Sequence, residues 1–134
     1  MMTQARTILR PKAPITLPVE AEHIGPDHFA GRKQAEVAAL PVFHGRREVT
    51  LGDLFTIKGN GAPDILIEGD LSHVKSIGQG MRQGRITIRG NVGMHLGAKM
   101  RDGEIIVQGN AEAWAGAQMR GGLMRILGNA GPML

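Results

Sequence analysis

Residues 84–100 read GRITIRGNVGMHLGAKM. The first half alternates apolar and polar residues as a half-buried strand does, and the second half is a glycine-rich run. Such a pairing invites a phosphate-loop reading, which the spacing defeats. Neither GQGMRQG (78–84) nor GNVGMHLG (90–97) has the dinucleotide or nucleoside-triphosphate glycine spacing, and Gly-Lys-Ser/Thr does not occur.

The glycines follow another rule. Gly90, Gly109 and Gly128 are 19 residues apart, as are Gly78, Gly97 and Gly116, then Gly84, Gly103 and Gly122, and Met81, Met100 and Met119. Four independent positions keep one period, so the chain is an array of repeats. Gly69 precedes Gly90 by 21, which places a two-residue insertion between Asp70 and Gly78. Asp70, Asn91, Asn110 and Asn129 each follow a glycine of the first series, and these residue types tolerate left-handed turns.

Each repeat reads as a five-residue strand, a Gly-Asn/Asp corner, a short second run and Gly-x-x-Met-x-x-Gly. Ile65, Ile86, Ile105 and Met124 align as one inward column, and Ile67, Ile88, Val107 and Ile126 as another. Nineteen residues are too few for a helical-hairpin repeat and carry no 3.6-residue pattern. They suit one turn of a right-handed parallel β-helix, an all-β solenoid whose glycines provide positive-φ corners and close stacking of successive backbones. The predicted division is an N-terminal arm and cap over 1–60, irregular and with one short helix, then the β-helix over 61–134.

Composition excludes several chemistries. The 134 residues support one domain and contain no cysteine, so disulfides, thiolate metal sites and cysteine nucleophiles are ruled out and a cytoplasmic setting is expected. The first twenty residues carry three prolines and no signal-peptide apolar run, and no stretch reaches membrane-span length. The net charge of +4 is shared evenly, eight basic and six acidic residues lying on each side of residue 60. With one tryptophan and three phenylalanines, few near basic clusters, neither a nucleic-acid module nor a membrane partner is expected.

The tandem GN-x5-GA-x-M-x-x-G-x-I-x-V/I pattern resembles the glycine-repeat β-helix shared by the C subunit of formylmethanofuran dehydrogenase and the C-terminal domain of the glutamate synthase large subunit. The front segment, TILRPKAPITLPVEAEHIGPDHFAGRKQAEVAALPV, followed by VTLGDLFTIKG and ILIEGD, looks like the start of the dehydrogenase C subunit. More narrowly it resembles the version in the formyltransferase/hydrolase complex of methylotrophic bacteria. The resemblance implies a noncatalytic scaffold in one-carbon metabolism. Its implied partners are amidohydrolase-like, formyltransferase-like and dehydrogenase-like subunits, which hold the metals and the chemistry. It further implies a methanofuran-type formyl carrier used by the complex and no cofactor bound by this chain alone. The alternative is a generic spacer or interaction module of the glutamate synthase kind without formyl chemistry. Family members usually continue for further coils, whereas this sequence stops at GNAGPML (128–134) with a strand edge open. Either the chain is a fragment or short form, or a neighbour covers that edge.

The residues offer no catalytic constellation of their own. His23, His28, His44, His73 and His95 show no ligand spacing on a common strand face, so no metal site is expected. Ser72 and Ser76 read as loop residues beside His73, and Asp102, Glu104 and Glu112 fall at different phases of the coil. What stands out is Arg82, Arg101 and Arg120, one after each repeat methionine. Coils stacked ~4.8 Å apart would set three like charges in a column spanning roughly 10 Å. Such a column either fans into solvent, docks on an acidic patch of a partner, or holds the glutamate-rich arm that the resemblance gives to methanofuran-type cofactors. The partner patch ranks ahead of the cofactor arm.

Alternation places Ile77, Leu96 and Ala115 inward and therefore Ser76, His95 and Trp114 outward. Leu66 and Ile106 fall on the outer side of the strand row with Thr87 between them, Arg125 after them and Leu127 outward in the next column. Leu66 and Ile106, together with Trp114 and His95, are the candidates for a partner contact. Glu68 and Arg89 should form a surface pair worth under about 1 kcal/mol, and the repeat methionines should fill the interior. In the N-terminal segment, five prolines leave room for one helix over 27–40, with Asp27 as its N-cap and Pro41 as its stop. VTLGDLFTIKG then alternates as strands leading into the first coil, and HGRRE (44–48) is a basic turn.

Overall fold

The computed structural model describes residues 6–132. The repeat strands β6 (Asp64–Glu68), β8 (Arg85–Arg89), β9 (Glu104–Val107) and β10 (Leu123–Ile126) pair in parallel, each with its counterpart in the next coil. Ile65 lies beside Ile86, Ile86 beside Ile105 and Ile105 beside Met124, so equivalent residues stack in register. The second face of the winding is a column of parallel bridges, Leu71 to Val92 to Ala111 to Ala130. The chain is thus a parallel β-solenoid of about three turns.

Hydrophobic burial follows the columns. Ile65, Ile67, Ile86, Ile88, Ile105, Val107, Ile77 and Leu96 are fully buried, each worth about 1.5–3 kcal/mol relative to exposure. Met81 and Met100 lie in the same core, and Met119, Met124 and Ile126 in the last coil pack against it while partly open. The three methionines stack: the Arg101 N–H donates to the Met81 carbonyl at 2.8 Å and the Arg120 N–H to the Met100 carbonyl at 2.8 Å.

The N-terminal segment winds as a coil that lacks the glycine signature. Its strand β1 (Thr7–Pro11) runs parallel to β6, with Ile8 beside Leu66, and β2 (Val19–Glu20) runs parallel to β7 (Val74–Lys75). The Gly78 N–H reaches back to the Ile24 carbonyl at 2.9 Å, completing the third side. The two sheets are closed by antiparallel strands: β5 (Phe55–Lys58) on β1, and the hairpin β3 (Pro41–His44) and β4 (Arg47–Thr50) on β2. HGRRE forms the hairpin turn.

The single helix expected over 27–40 is two, α1 (Pro26–Phe29) and α2 (Gln34–Ala38). Gly31, at φ +76°, turns the chain between them, and the Lys33 N–H is held by Glu36 Oε1 at 2.9 Å. Gly25, not Asp27, is the N-cap of α1; Asp27 Oδ2 instead accepts the Arg82 N–H at 2.8 Å. VTLGDLFTIKG is interrupted by α3 (Leu51–Leu54), because Thr50 and Asp53 make a capping box in which the Thr50 N–H donates to Asp53 Oδ2 at 2.9 Å. Among the described residues no helix is long and apolar enough to cross a membrane. The last two residues of the terminal GNAGPML run lie outside the described residues.

Backbone stacking makes the corner glycines unequal. A Cβ on Gly90 would overlap the Gly69 carbonyl of the coil below, whereas one on Gly31 would meet nothing within 4 Å. Both have positive φ, so alanine costs about 1–2 kcal/mol at either site from backbone strain alone. Gly90→Ala should therefore destabilise the protein by clearly more than Gly31→Ala in urea unfolding; equal losses would show that coil stacking places no steric demand at the corner.

Candidate functional site

The side chains that sequence reading marked as chemical are mostly consumed by local structure. Ser72 donates both its N–H and its hydroxyl to Asp70 Oδ1, which together hold the Asp70 carboxyl below its usual range. The Ser76 hydroxyl donates to Glu20 Oε2 at 3.2 Å, Arg85 pairs with Glu104 at 2.8 Å, and Asp102 Oδ1 accepts the Gly103 N–H. The Glu68–Arg89 pair forms at 3.3 Å, but Arg10 lies closer to Glu68 at 2.7 Å. The hydrogen bond from Arg10 is the first cause of the lowered Glu68 pKa, followed, against the opposing effect of desolvation, by the Arg10 charge and then by Arg89. Arg10 was missed because nothing in the period announces β1 as a neighbour of β6.

Two histidines without obvious spacing do meet. His23 and His28 contact edge to face with centroids 4.9 Å apart, and the His23 Nδ1–H donates to the Pro41 carbonyl. Among the described residues no group of three potential metal ligands forms. Burial, then the His23 charge, lowers the His28 pKa below its ordinary 6.5, against smaller opposing effects of Asp27 and Glu22. The unfolded chain therefore gains this proton first on acidification. Stability from His28 is complete above about pH 6.5 and is lost as pH falls through the folded value. Thermal unfolding should show a drop in Tm below pH 6.5 that His28→Gln flattens; an unchanged slope would mean that His28 titrates alike in both states.

The remaining concentration of chemistry lies on the third side of the solenoid. Ser76, His95 and Trp114 sit at equivalent positions of three coils, as do Gly80, Lys99 and Gln118 four residues on. All six have left-handed backbones: φ is 67°, 61° and 69° in the first column and 66°, 60° and 56° in the second. The stacking imposes this: Ser76, His95 and Trp114 donate N–H to carbonyls of Met94, Ala113 and Pro132, and Gly80 and Lys99 to Ala98 and Ala117. Between the columns runs a groove of about 470 Å³, floored by Gln79, Ala98 and Ala117. The His95 and Trp114 rings stack along it, 6.2 Å apart at 14°.

A second concavity of about 610 Å³ shares Lys99 and Gln118 with the groove and adds Arg101, Met119 and Arg120. Arg82, Arg101 and Arg120 are all exposed, at equivalent positions of successive coils. Its environment is uneven, since Asp27 of the N-terminal segment meets the Arg82 backbone at one end. Among the described residues neither Lys99 nor any of the three arginines is ion-paired, whereas Arg6, Arg10, Arg85 and Arg89 all pair with carboxylates on the strand face.

The expected cluster of Trp114 and His95 with Leu66 and Ile106 separates into two surfaces. Trp114, 40% exposed, lines the groove, while Leu66 and Ile106 lie on the outer side of the strand row with Thr87 between them in register. Leu66 is only 4% exposed and drops out as a contact candidate. The reason is the unforeseen strand: Ile8 of β1 lies beside it, and the ion-paired Arg10, Glu68 and Arg89 flank it.

Strain in the groove is a measurable feature. Lysine in a left-handed backbone costs about 1–2 kcal/mol, more than the ~0.5–1 kcal/mol that glycine loses through unfolded-chain entropy. Lys99→Gly should therefore raise stability by up to about 1 kcal/mol in denaturant titration. A loss of stability would show that the Lys99 side chain supports the fold and does not merely tolerate its backbone.

A nineteen-residue parallel winding with glycine corners defines a glycine-repeat β-solenoid. No protein-family profile matches the chain. The chain is a homologue of the C subunits of formylmethanofuran dehydrogenases and of the formyltransferase/hydrolase complex. It is 47% identical over 96 residues to the C subunit of the tungsten-containing formylmethanofuran dehydrogenase 2 of Methanothermobacter wolfeii, covering 68% of this chain and 36% of that protein. Against the C subunit of the formyltransferase/hydrolase complex Fhc of Methylorubrum extorquens it is 35% identical over 78 residues, 58% of this chain and 29% of the relative. In the crystal structure of the M. extorquens complex with methylofuran, one chain superposes with a TM-score of 0.86 and 34% identity, over 92% of this chain and 47% of that one. The chain spans about a third of the length of these curated relatives.

Proposed function

We propose that the chain acts as a noncatalytic scaffold subunit of a formylmethanofuran dehydrogenase-like or formyltransferase/hydrolase assembly in one-carbon metabolism. The observation that carries this reading is the superposition of 92% of the chain, at a TM-score of 0.86, on a chain of the M. extorquens formyltransferase/hydrolase complex. The disposition of side chains supports it. Both serines are hydrogen-bonded to carboxylates, and Glu68 and Glu104 are held by arginines, so their groups serve local structure. Among the described residues, the rings of His95 and Trp114 and the unpaired Lys99, Arg101 and Arg120 lie together on the third side, where a neighbouring protein can meet them.

On this reading the partners are amidohydrolase-like, formyltransferase-like and dehydrogenase-like subunits, and the formyl carrier of the methanofuran type is bound and processed on them, in the cytoplasm. The arginine column of Arg82, Arg101 and Arg120 then faces an acidic partner surface in preference to the carrier's carboxylate arm. Affinity purification of the tagged chain from its native host tests the role. It should bring down the formyl-transferring subunits in fixed ratio, and the chain alone should neither transfer nor hydrolyse a formyl group. Recovery with a glutaminase or glutamate synthase domain, or formyl turnover by the isolated chain, would overturn it.

A further inference from the structure

The groove and the basic concavity beside it are one continuous surface, because Lys99 and Gln118 line both. Its two halves differ in chemistry. One wall is the stacked His95 and Trp114, over a floor of Ala98 and Ala117; the other carries Lys99, with Arg101 and Arg120 beyond it. The fold needs a left-handed backbone at these corners but not these side chains, as Gly80 shows by filling the Lys99 position one coil earlier. Tryptophan, histidine and lysine held in this conformation bear strain that glycine would avoid. Arg6, Arg10, Arg85 and Arg89 of the strand face pair with carboxylates, whereas among the described residues Lys99, Arg101 and Arg120 of this surface, like Arg125 of the strand face, do not.

We infer that this surface docks an extended acidic segment of a partner polypeptide, with an apolar side chain of the segment against Trp114 and its carboxylates on Lys99, Arg101 and Arg120. The inference rests on the scaffold reading and gives it a specific site. The groove runs over three coils, roughly 10 Å or about three extended residues at ~4.8 Å per coil, and its basic part covers two of them, Lys99 and Arg101 on one coil and Arg120 on the next. Arginines on successive coils can each take a carboxylate through paired hydrogen bonds. The His95 and Trp114 rings lie nearly parallel, with centroids 6.2 Å apart, and offer a shared ring surface to a side chain of the segment. Asp27 beside the Arg82 backbone limits the track at that end and leaves its basic part at Arg101 and Arg120.

The lone tryptophan makes binding directly visible. The probe is a hexapeptide with two glutamates on each side of a central leucine–phenylalanine pair, titrated into the 134-residue chain while Trp114 emission is followed; its glutamine counterpart is the control. Saturable change in emission is expected, with affinity at least tenfold lower for the glutamine peptide and for Lys99→Glu/Arg101→Glu/Arg120→Glu. Affinity should weaken with added salt. Arg125→Glu, a charge change on the outer strand face, should leave affinity unchanged, and matching Tm values establish that the variants are folded. Arg101→Gln/Arg120→Gln gives a second reading should the triple variant unfold. Equal binding of the two peptides, unchanged affinity in the folded variants, or displacement by free glutamate at the same concentration as the peptide would overturn the inference. In the assembly, partner proteins that co-purify equally with wild type and triple variant would sink the docking site and leave the scaffold role standing. A wild-type chain that co-purifies with none of them would sink the scaffold role itself.

Discussion

Everything in this molecule depends on parallel, in-register stacking of coils. In a parallel ladder each backbone N–H and C=O is satisfied by residues flanking the equivalent position of an adjacent turn, so an element chosen once is repeated as a column. Columns of isoleucine, valine and methionine make the interior, and columns of asparagine make the corners. There Asn91 Oδ1 accepts the Asn110 N–H and Asn110 Oδ1 accepts the Asn129 N–H, at 2.9 and 2.8 Å. Charges stack as well: opposite signs at neighbouring positions become the ion pairs Glu68–Arg89 and Arg85–Glu104, and a repeated arginine becomes a row of like charge.

That constraint explains why the candidate site lies on the third side. The strand face alternates inward and outward, and its charged residues Arg6, Asp64, Arg10, Glu68, Arg85, Glu104 and Arg89 pair with neighbours across the ladder. At the tight corner from 76 to 82 and its counterparts, left-handed residues turn the backbone and open the groove, while Ile77, Met81, Leu96 and Met100 between them stay buried. Equivalent positions of successive coils lie side by side on this surface, so Arg82, Arg101 and Arg120 form a row while Ser76, His95 and Trp114 share another column. Strained backbones at His95, Lys99 and Trp114 persist because neighbouring coils fix their N–H groups.

Family and fold converge without making the function explicit. The relatives among the C subunits are about three times as long as the segment they share with this chain, and the structural match covers 47% of a chain in the M. extorquens complex.

The sequence by itself determined the winding, because 19-residue spacing of glycine, asparagine and methionine is a local pattern that stacking converts directly into columns. The inward isoleucines, the Met81–Met100–Met119 row and the exposed arginines were legible for that reason. Only the tertiary structure decided what the first sixty residues do. β1 and β2 join the solenoid through backbone hydrogen bonds, which are indifferent to side chain and leave no periodic trace. Leu66 became buried and Glu68 gained Arg10 through that unseen strand. The Gly31 break and the Thr50–Asp53 capping box were written in the sequence, yet helix and strand alternation over a few residues is too short to arbitrate. The union of the ring-lined groove with the basic concavity was likewise invisible, since residues 95, 99, 101, 114, 118 and 120 become one surface only when coils lie side by side.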